Sequence, residues 1–235
     1  MQKERVLVTG ASGFIGSNLL DYLLEKDYEV IGLSRQKNLP KIHPHLTWIR
    51  ALEELKHDRI DYVVNLAGES IAQGRWTDAR KQKLIASRVE TTTMLYQYLA
   101  KRKIKPKCII SGSAVGYYGI DPTEQWTECC NEQSAPQSIF MSELCQKWEQ
   151  SARQDTSQNT KIIRLGVVFG RGAGILPQML FPIKMNLCGR IGSGRQPVVW
   201  VHIQDVLRAI EFLMLHETTE QVFNVVSPEK VTQSA

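Results

Sequence analysis

The sequence predicts an α/β fold, a doubly wound parallel sheet with helices on both faces. Three observations carry that expectation. Short apolar runs alternate with stretches whose apolar residues recur at helical spacing. A glycine-rich turn joins the first run to the first such stretch. The chain has 235 residues, 43% hydrophobic and 23% charged, enough for one large core but not for two independent ones.

Taken in order, Arg5 to Thr9 reads as the first strand, and Phe14 to Glu25 as a helix with Phe14, Ile15, Leu19, Leu20, Leu23 and Leu24 on its apolar side. Glu29 to Leu33 completes a βαβ unit. After a connection containing Pro and His, Leu46 to Ile49 forms a short strand and Asp61 to Leu66 a buried one. A long helix is expected from about Thr77 to Lys103, a strand over Pro106 to Ser111, and a helix over Phe140 to Arg153. Lys161 to Phe169 reads as one apolar strand, the sixth of the main sheet. Beyond Gly170 the rhythm loosens into a helix near Ile175 to Leu187, an extended stretch over Val198 to His202, and a helix from Gln204 to His216.

Composition narrows the classes of function. The net charge is +5, but the densest basic run, Lys101-Arg102-Lys103 with Lys105 and Lys107, has no interleaved aromatics and reads as a solvated helix end, not a nucleic-acid patch. The five cysteines, Cys108, Cys129, Cys130, Cys145 and Cys188, show neither a C-x-x-C pair nor the His spacing of a zinc site, so no metal is expected. No apolar run approaches the roughly 20 residues of a membrane helix, and the first residues lack a signal peptide's pattern. The expectation is a reduced, cytoplasmic protein whose partner is a small molecule, not a nucleic acid or a membrane. The oligomeric state stays open, a homodimer included.

Thr9-Gly10-Ala11-Ser12-Gly13-Phe14-Ile15-Gly16 places glycines in a G-x-x-G-x-x-G pattern directly after a strand and before a helix. Gly10 permits the turn, Gly13 lets the backbone approach a pyrophosphate, and Gly16 lets the helix pack on the sheet. This is a Rossmann phosphate-binding turn, with Ser12, Phe14 and Ile15 beside the cofactor. NAD(H) is usually held by an acidic residue about 20 positions after the turn. Here the position reads Ser34-Arg35-Gln36-Lys37, without a carboxylate. Arg35 suits a ribose 2′-phosphate through paired charge-assisted bonds, and Ser34 adds a donor. NADP(H) is therefore the expected cofactor. Asn65-Leu66-Ala67-Gly68 supplies small residues beside the adenosine half, with Leu66 and Ala67 as contacts.

Together TGASGFIG (9–16), NLAGESI with RW (65–71, 75–76), SRVETT (87–92), SGSAVGYYG (111–119), CQKWE (145–149), RLGVVFGRG (164–172) and IGSGRQPVVWVHIQD (191–205) resemble the extended short-chain dehydrogenase/reductases of the epimerase/dehydratase kind, in the atypical branch of epimerase family proteins. The resemblance covers nearly the whole chain. It implies an NADP(H)-binding Rossmann domain over 1–169 and a sugar-nucleotide-like or carbonyl substrate. It further implies a small substrate lobe over 170–235, interleaved with a returning helix and strand at about 203–225 and incomplete after Val231. It puts Arg88 and Phe169 near the cofactor with Ser34 and Arg35.

Active short-chain dehydrogenases pair a serine with a Tyr-x-x-x-Lys helix. Ser113 matches the serine, but Phe140 and Leu144 stand where the phenol and ammonium belong, and neither can move a proton. Tyr117 and Tyr118 lie just past Ser113 and are the available phenols. Glu149, beside Trp148, admits two readings, a buried functional carboxylate and a helix-surface residue, and the second is the expectation. His202 and Asp205 read as a helix cap and an anchor for the lobe. Two functions follow from this set: an NADP(H)-dependent oxidoreductase or epimerase using Ser113 with Tyr117 or Tyr118, or a regulatory protein that keeps the cofactor without turnover.

Overall fold

A computed structural model describes residues 3–36, 39, 41–56, 58–72, 74–123, 125, 129–171, 174–176, 179–180, 184–185 and 193–234. Its main layer is a seven-stranded sheet in the order β3-β2-β1-β4-β5-β6-β9. The strands are β1 (Arg5–Thr9), β2 (Glu29–Leu33), β3 (Leu46–Ile49), β4 (Tyr62–Asn65), β5 (Cys108–Ala114), β6 (Thr160–Leu165) and β9 (Val222–Val225), and every pairing is parallel. A second, two-stranded parallel sheet pairs β7 (Val167–Phe169) with β8 (Trp200–His202).

Both faces of the main sheet are covered, so its central strands are apolar on both sides. On one face α1 (Phe14–Glu25) and α4 (Ile203–Leu215) bury Leu19, Leu20, Leu23, Val206, Leu207 and Ile210 against Val6, Val8, Ile110 and Ile163. Full burial of such a side chain contributes ~1.5–3 kcal/mol, and truncating Ile210 to alanine would cost ~2–5 kcal/mol. On the other face α2 (Asp78–Arg102) and α3 (Phe140–Ala152) bring Leu95, Tyr96, Leu99 and Ala152 onto Leu7, Val63 and Ile109. Helix α2 starts on Thr77, whose side chain accepts from Arg80 N, and stops where Lys103 turns left-handed at φ 54. Helix α4 starts on His202, whose ring accepts from Gln204 N, so the expected cap forms. Asp205 pairs with Arg208 in the exposed first turn.

Three sequence expectations need correction. The run from Lys161 to Phe169 is two strands in two sheets. The break falls at Gly166, whose N–H still donates to Val225 in β9 while the next residue's N–H donates to Val199 ahead of β8. A Cβ at Gly166 would sit 2.8 Å from the Val199 oxygen, so only glycine lets the chain change partners there. Among the described residues the main sheet holds seven strands where the apolar runs marked six, because β9, within the stretch that the resemblance gives to a returning strand, joins β6 at the edge. Finally, β5 runs to Ala114 instead of stopping at Ser111, carrying Ser113 inside the sheet. The helix expected near 175–187 falls largely outside the described residues, as do Lys37, Gly172, Cys188 and residues 191–192 of the quoted motifs.

The strand order reverses between β1 and β4. In doubly wound sheets the crevice beyond the carboxyl ends of the strands at such a reversal is where ligands bind.

Candidate cofactor and substrate site

The turn after β1 is built to approach an anion. Gly10 has φ +66, and a Cβ there would lie 2.7 Å from the Leu66 oxygen, so no other residue fits without moving the loop after β4. Gly13 N donates to Gly10 O at 2.9 Å and caps α1 without any side-chain bond, and the first turn of α1 carries no acidic residue. The helix's amino end therefore offers its N–H groups and positive dipole end to a ligand instead of to its own side chains. Phe14 leans against the segment after β7, where Cβ atoms on Gly170 and Gly174 would come within 2.9 Å of its ring. Ile15 packs on the core.

A buried polar cluster fixes the opposite lip of the crevice. The Thr9 hydroxyl donates to Asn65 Oδ1 at 2.6 Å, and Asn65 Nδ2 donates to Thr92 at 2.8 Å and to Ser111 at 3.3 Å. Thr9 also accepts from the Ala67 N–H at 3.2 Å. The buried amide is fully used in binding β1, β4, β5 and α2 together, and it orients Leu66-Ala67-Gly68.

The second strand ends on a serine pair. Ser12 Oγ and Ser34 Oγ are 2.6 Å apart, and Ser34 accepts from Gln36 N at 3.2 Å. Ser34 is buried and Arg35 exposed, so the hydroxyls are placed and the guanidinium is free to swing toward a ligand.

Beyond Gly68, the Arg88 guanidinium donates to the Glu69 carbonyl at 3.0 Å and to the Leu84 carbonyl at 3.1 Å, and lies 5.1 Å from the Trp148 ring centroid. A Cβ on Gly68 would be 3.0 Å from Arg88 Cζ. Burial works against its charge and lowers its pKa. No carboxylate pairs with it among the described residues, whereas the neighbouring Glu69 takes Arg80 at 2.6 Å and Lys83 at 3.0 Å. Phe169 stacks on Trp200 across β7 and β8, centroids 6.0 Å apart.

Past the end of β5, the 3-10 turn Val115–Tyr118 carries both phenols. They are organised by a buried ion pair. Arg164 on β6 and Glu149 on α3 are 2% and 1% exposed, and one guanidinium edge, Nε and Nη2, meets both carboxylate oxygens at 2.8 and 2.9 Å. The same carboxylate accepts the Ser113 hydroxyl at 2.7 Å and Arg153 at 3.2 Å. Arg164 lies 3.4 Å from the Tyr117 ring centroid and donates to the Tyr118 hydroxyl at 2.9 Å and the Glu132 carbonyl at 3.1 Å. Tyr118 donates onward to Asn224 at 2.7 Å. Burial raises the Tyr118 pKa, with the bonds from Arg164 and Asn224 opposing. The Tyr117 hydroxyl has no side-chain partner among the described residues, while its carbonyl accepts from Ser142.

Glu149 is thus a core residue, not a helix-surface one. Two strand positions signalled this. Arg164 and Lys161 stand in a strand covered on both faces, and a buried cation needs an acceptor. Lys161 finds the Leu213 and His216 carbonyls, each at 2.6 Å, and Arg164 finds Glu149. The signal was hidden because the run looks apolar when charges are averaged over it. On α3, Leu144 is 2% exposed and Phe140 packs edge-on against Trp76 at 5.6 Å, so neither helix position presents a titratable group.

Comparison with known proteins agrees with this geometry. The profile of the NAD dependent epimerase/dehydratase family matches residues 6–226. An epimerase family protein of Staphylococcus saprophyticus subsp. saprophyticus is 36% identical over 96% of this chain and 76% of its own length. The crystal structure of the human epimerase family protein SDR39U1 (isoform2) with NADPH superposes with a TM-score of 0.84 at 34% identity, covering 98% of this chain and 76% of that one. A nucleoside-diphosphate sugar epimerase from Corynebacterium glutamicum gives 0.78 at 27% identity, over 99% of this chain and 48% of its own.

Proposed function

Since the chain belongs to the NAD dependent epimerase/dehydratase family, we propose that it binds NADP(H) and exchanges hydride with a carbonyl or sugar-nucleotide-like substrate. The observation that carries the cofactor half is the end of β2. Paired hydroxyls of Ser12 and Ser34, 2.6 Å apart, stand next in the chain to the exposed charge of Arg35, with no carboxylate in Ser34-Arg35-Gln36-Lys37 to repel a 2′-phosphate. The NADPH in the human relative's structure supports the same choice. Gly10, Gly13 and Gly16 would admit the pyrophosphate to the amino end of α1, Leu66, Ala67 and Gly68 would flank the adenosine half, and Arg88 and Phe169 would complete the wall.

The bound dinucleotide supplies the hydride; the chain supplies placement and the proton. In this reading Tyr117, whose hydroxyl is uncommitted, is the proton donor to a substrate oxygen. Ser113 and Tyr118, tied to Glu149 and to Arg164 and Asn224, hold the turn that presents it. Cofactor binding without turnover is the second reading, and the burial of Leu144 in place of an ammonium favours it.

Arg35→Asp tests the cofactor assignment: NADPH affinity should fall far more than NADH affinity, and equal losses would refute the 2′-phosphate role. Oxidation of NADPH by members of a carbonyl panel, abolished by Tyr117→Phe, supports turnover. Activity that survives Tyr117→Phe removes Tyr117 from the mechanism.

A further inference from the structure

Cys129 and Cys130 are consecutive and both thiols are free and exposed, whereas Cys108 and Cys145 are buried. Burial pushes the Cys108 and Cys145 thiols up to about 11, which keeps them protonated and unreactive. The exposed pair leads into a turn fixed at several points. Asn131 N donates to Ser134 Oγ at 2.9 Å, and Ser134 N donates to Asn131 O at 3.0 Å. Glu132 accepts from Arg164 through its carbonyl and from Asn224 N through its carboxylate at 2.8 Å. Two soft nucleophiles therefore stand at consecutive, exposed positions where the chain enters an anchored turn.

What such a pair can bind follows from its geometry. A trans peptide sets adjacent Cα atoms about 3.8 Å apart, short of the roughly 4.4–6.8 Å that disulfides span, so a direct S–S bond would be strained. A closed zinc site needs four ligands, and no group of three or more His, Cys, Asp or Glu that could hold a metal occurs among the described residues. The match is a thiophilic centre that makes two bonds to sulfur and bridges the two thiols without joining them.

We infer that Cys129 and Cys130 form a bidentate capture site for trivalent organoarsenicals. The reaction is balanced without electron transfer: R–As=O and two Cys–SH give R–As(S–Cys)2 and water. Two As–S bonds form, both S–H bonds break, and the oxygen leaves carrying the two thiol protons. Arsenic stays trivalent. The inference stands independently of the cofactor reading.

The test uses the reduced chain, phenylarsine oxide and intact-mass measurement with peptide mapping. One phenylarsenic group per chain is expected, mapped to 129–130, resistant to glutathione and removed by 2,3-dimercaptopropanol. Cys129→Ser and Cys130→Ser should each lose it to glutathione roughly 100-fold more readily, because one As–S bond forfeits the effective concentration of the second thiol. Cys188→Ala should keep it. Retention in either serine variant at the wild-type level, or release from the wild-type chain as easily as from the variants, would overturn the assignment. Both serine variants lie at exposed positions, and unchanged thermal unfolding separates lost capture from lost fold.

Discussion

Replacing Glu149 with alanine should be among the most damaging single changes in this chain. The carboxylate is 1% exposed and accepts from Ser113, from two nitrogens of Arg164 and from Arg153. Its removal leaves Arg164, 2% exposed, as a buried charge with no acid to balance it. Removing one partner of a buried ion pair typically costs ~3–5 kcal/mol. For a chain of this length each kcal/mol lowers Tm by roughly 2–4 °C, so the drop should be roughly 6–20 °C. Arg153, with a side chain 44% exposed, is solvated enough to lose little. Glu149→Gln should cost less, because the amide keeps an acceptor for Arg164 while losing the charge. The double variant Glu149→Leu with Arg164→Met should be far less destabilised than the two single losses summed, since no orphan charge remains. Urea unfolding of the wild type, Glu149→Leu, Arg164→Met and the double variant measures the coupling. A cost below ~1 kcal/mol for Glu149→Ala, or additive losses in the double variant, would refute the view that this pair anchors the Tyr117–Tyr118 turn.

Other consequences are open to direct measurement. Lys161→Met removes the ammonium that caps the Leu213 and His216 carbonyls at the end of α4; with up to ~1.5–3 kcal/mol at stake per charged hydrogen bond, amide exchange should quicken first in the last turn of α4, and uniform protection would contradict this. Gly10→Ala should abolish NADPH binding and destabilise the fold by at least ~1–2 kcal/mol, because φ +66 is left-handed and the new Cβ meets the Leu66 oxygen; wild-type affinity in that variant would show the turn to be plastic. At high pH the folded chain keeps protons that the unfolded chain releases. The bond to Glu211 and then burial raise Tyr22 from 10.0 to about 12, burial raises Tyr28 from 10.0 to about 12, and burial raises Cys108 and Cys145 from 9.0 to about 11. Their contribution to stability is thus full below pH 9 and lost as pH rises from about 9 to 12. Urea midpoints that stay level across that range would be inconsistent with it.

The parts legible in the sequence are those whose cause is local. Gly10, Gly13 and Gly16 announce their turn because backbone geometry and close approach demand glycine, and the strands β1, β2 and β3 fall on the apolar runs that define them. What stayed hidden depends on partners distant in the chain. Glu149 meets Ser113 and Arg164 only after α3 docks on β5 and β6, and nothing in Trp148-Glu149-Gln150 announces that docking. Gly166 marks an interruption of its apolar run, but the strand that the chain moves to is set by contact with Val199, far along the chain. His202 as a cap was readable, because the ring precedes a helical stripe and needs only its own neighbour Gln204.

The central claim is that the crevice between β1 and β4 prefers NADP(H). Titration of NADPH and NADH into the unaltered chain by calorimetry measures that preference most directly. The account predicts NADPH tighter by at least roughly tenfold, about 1.4 kcal/mol, with the advantage erased in Arg35→Asp. Equal affinities in the unaltered chain, or tighter NADH, would contradict it.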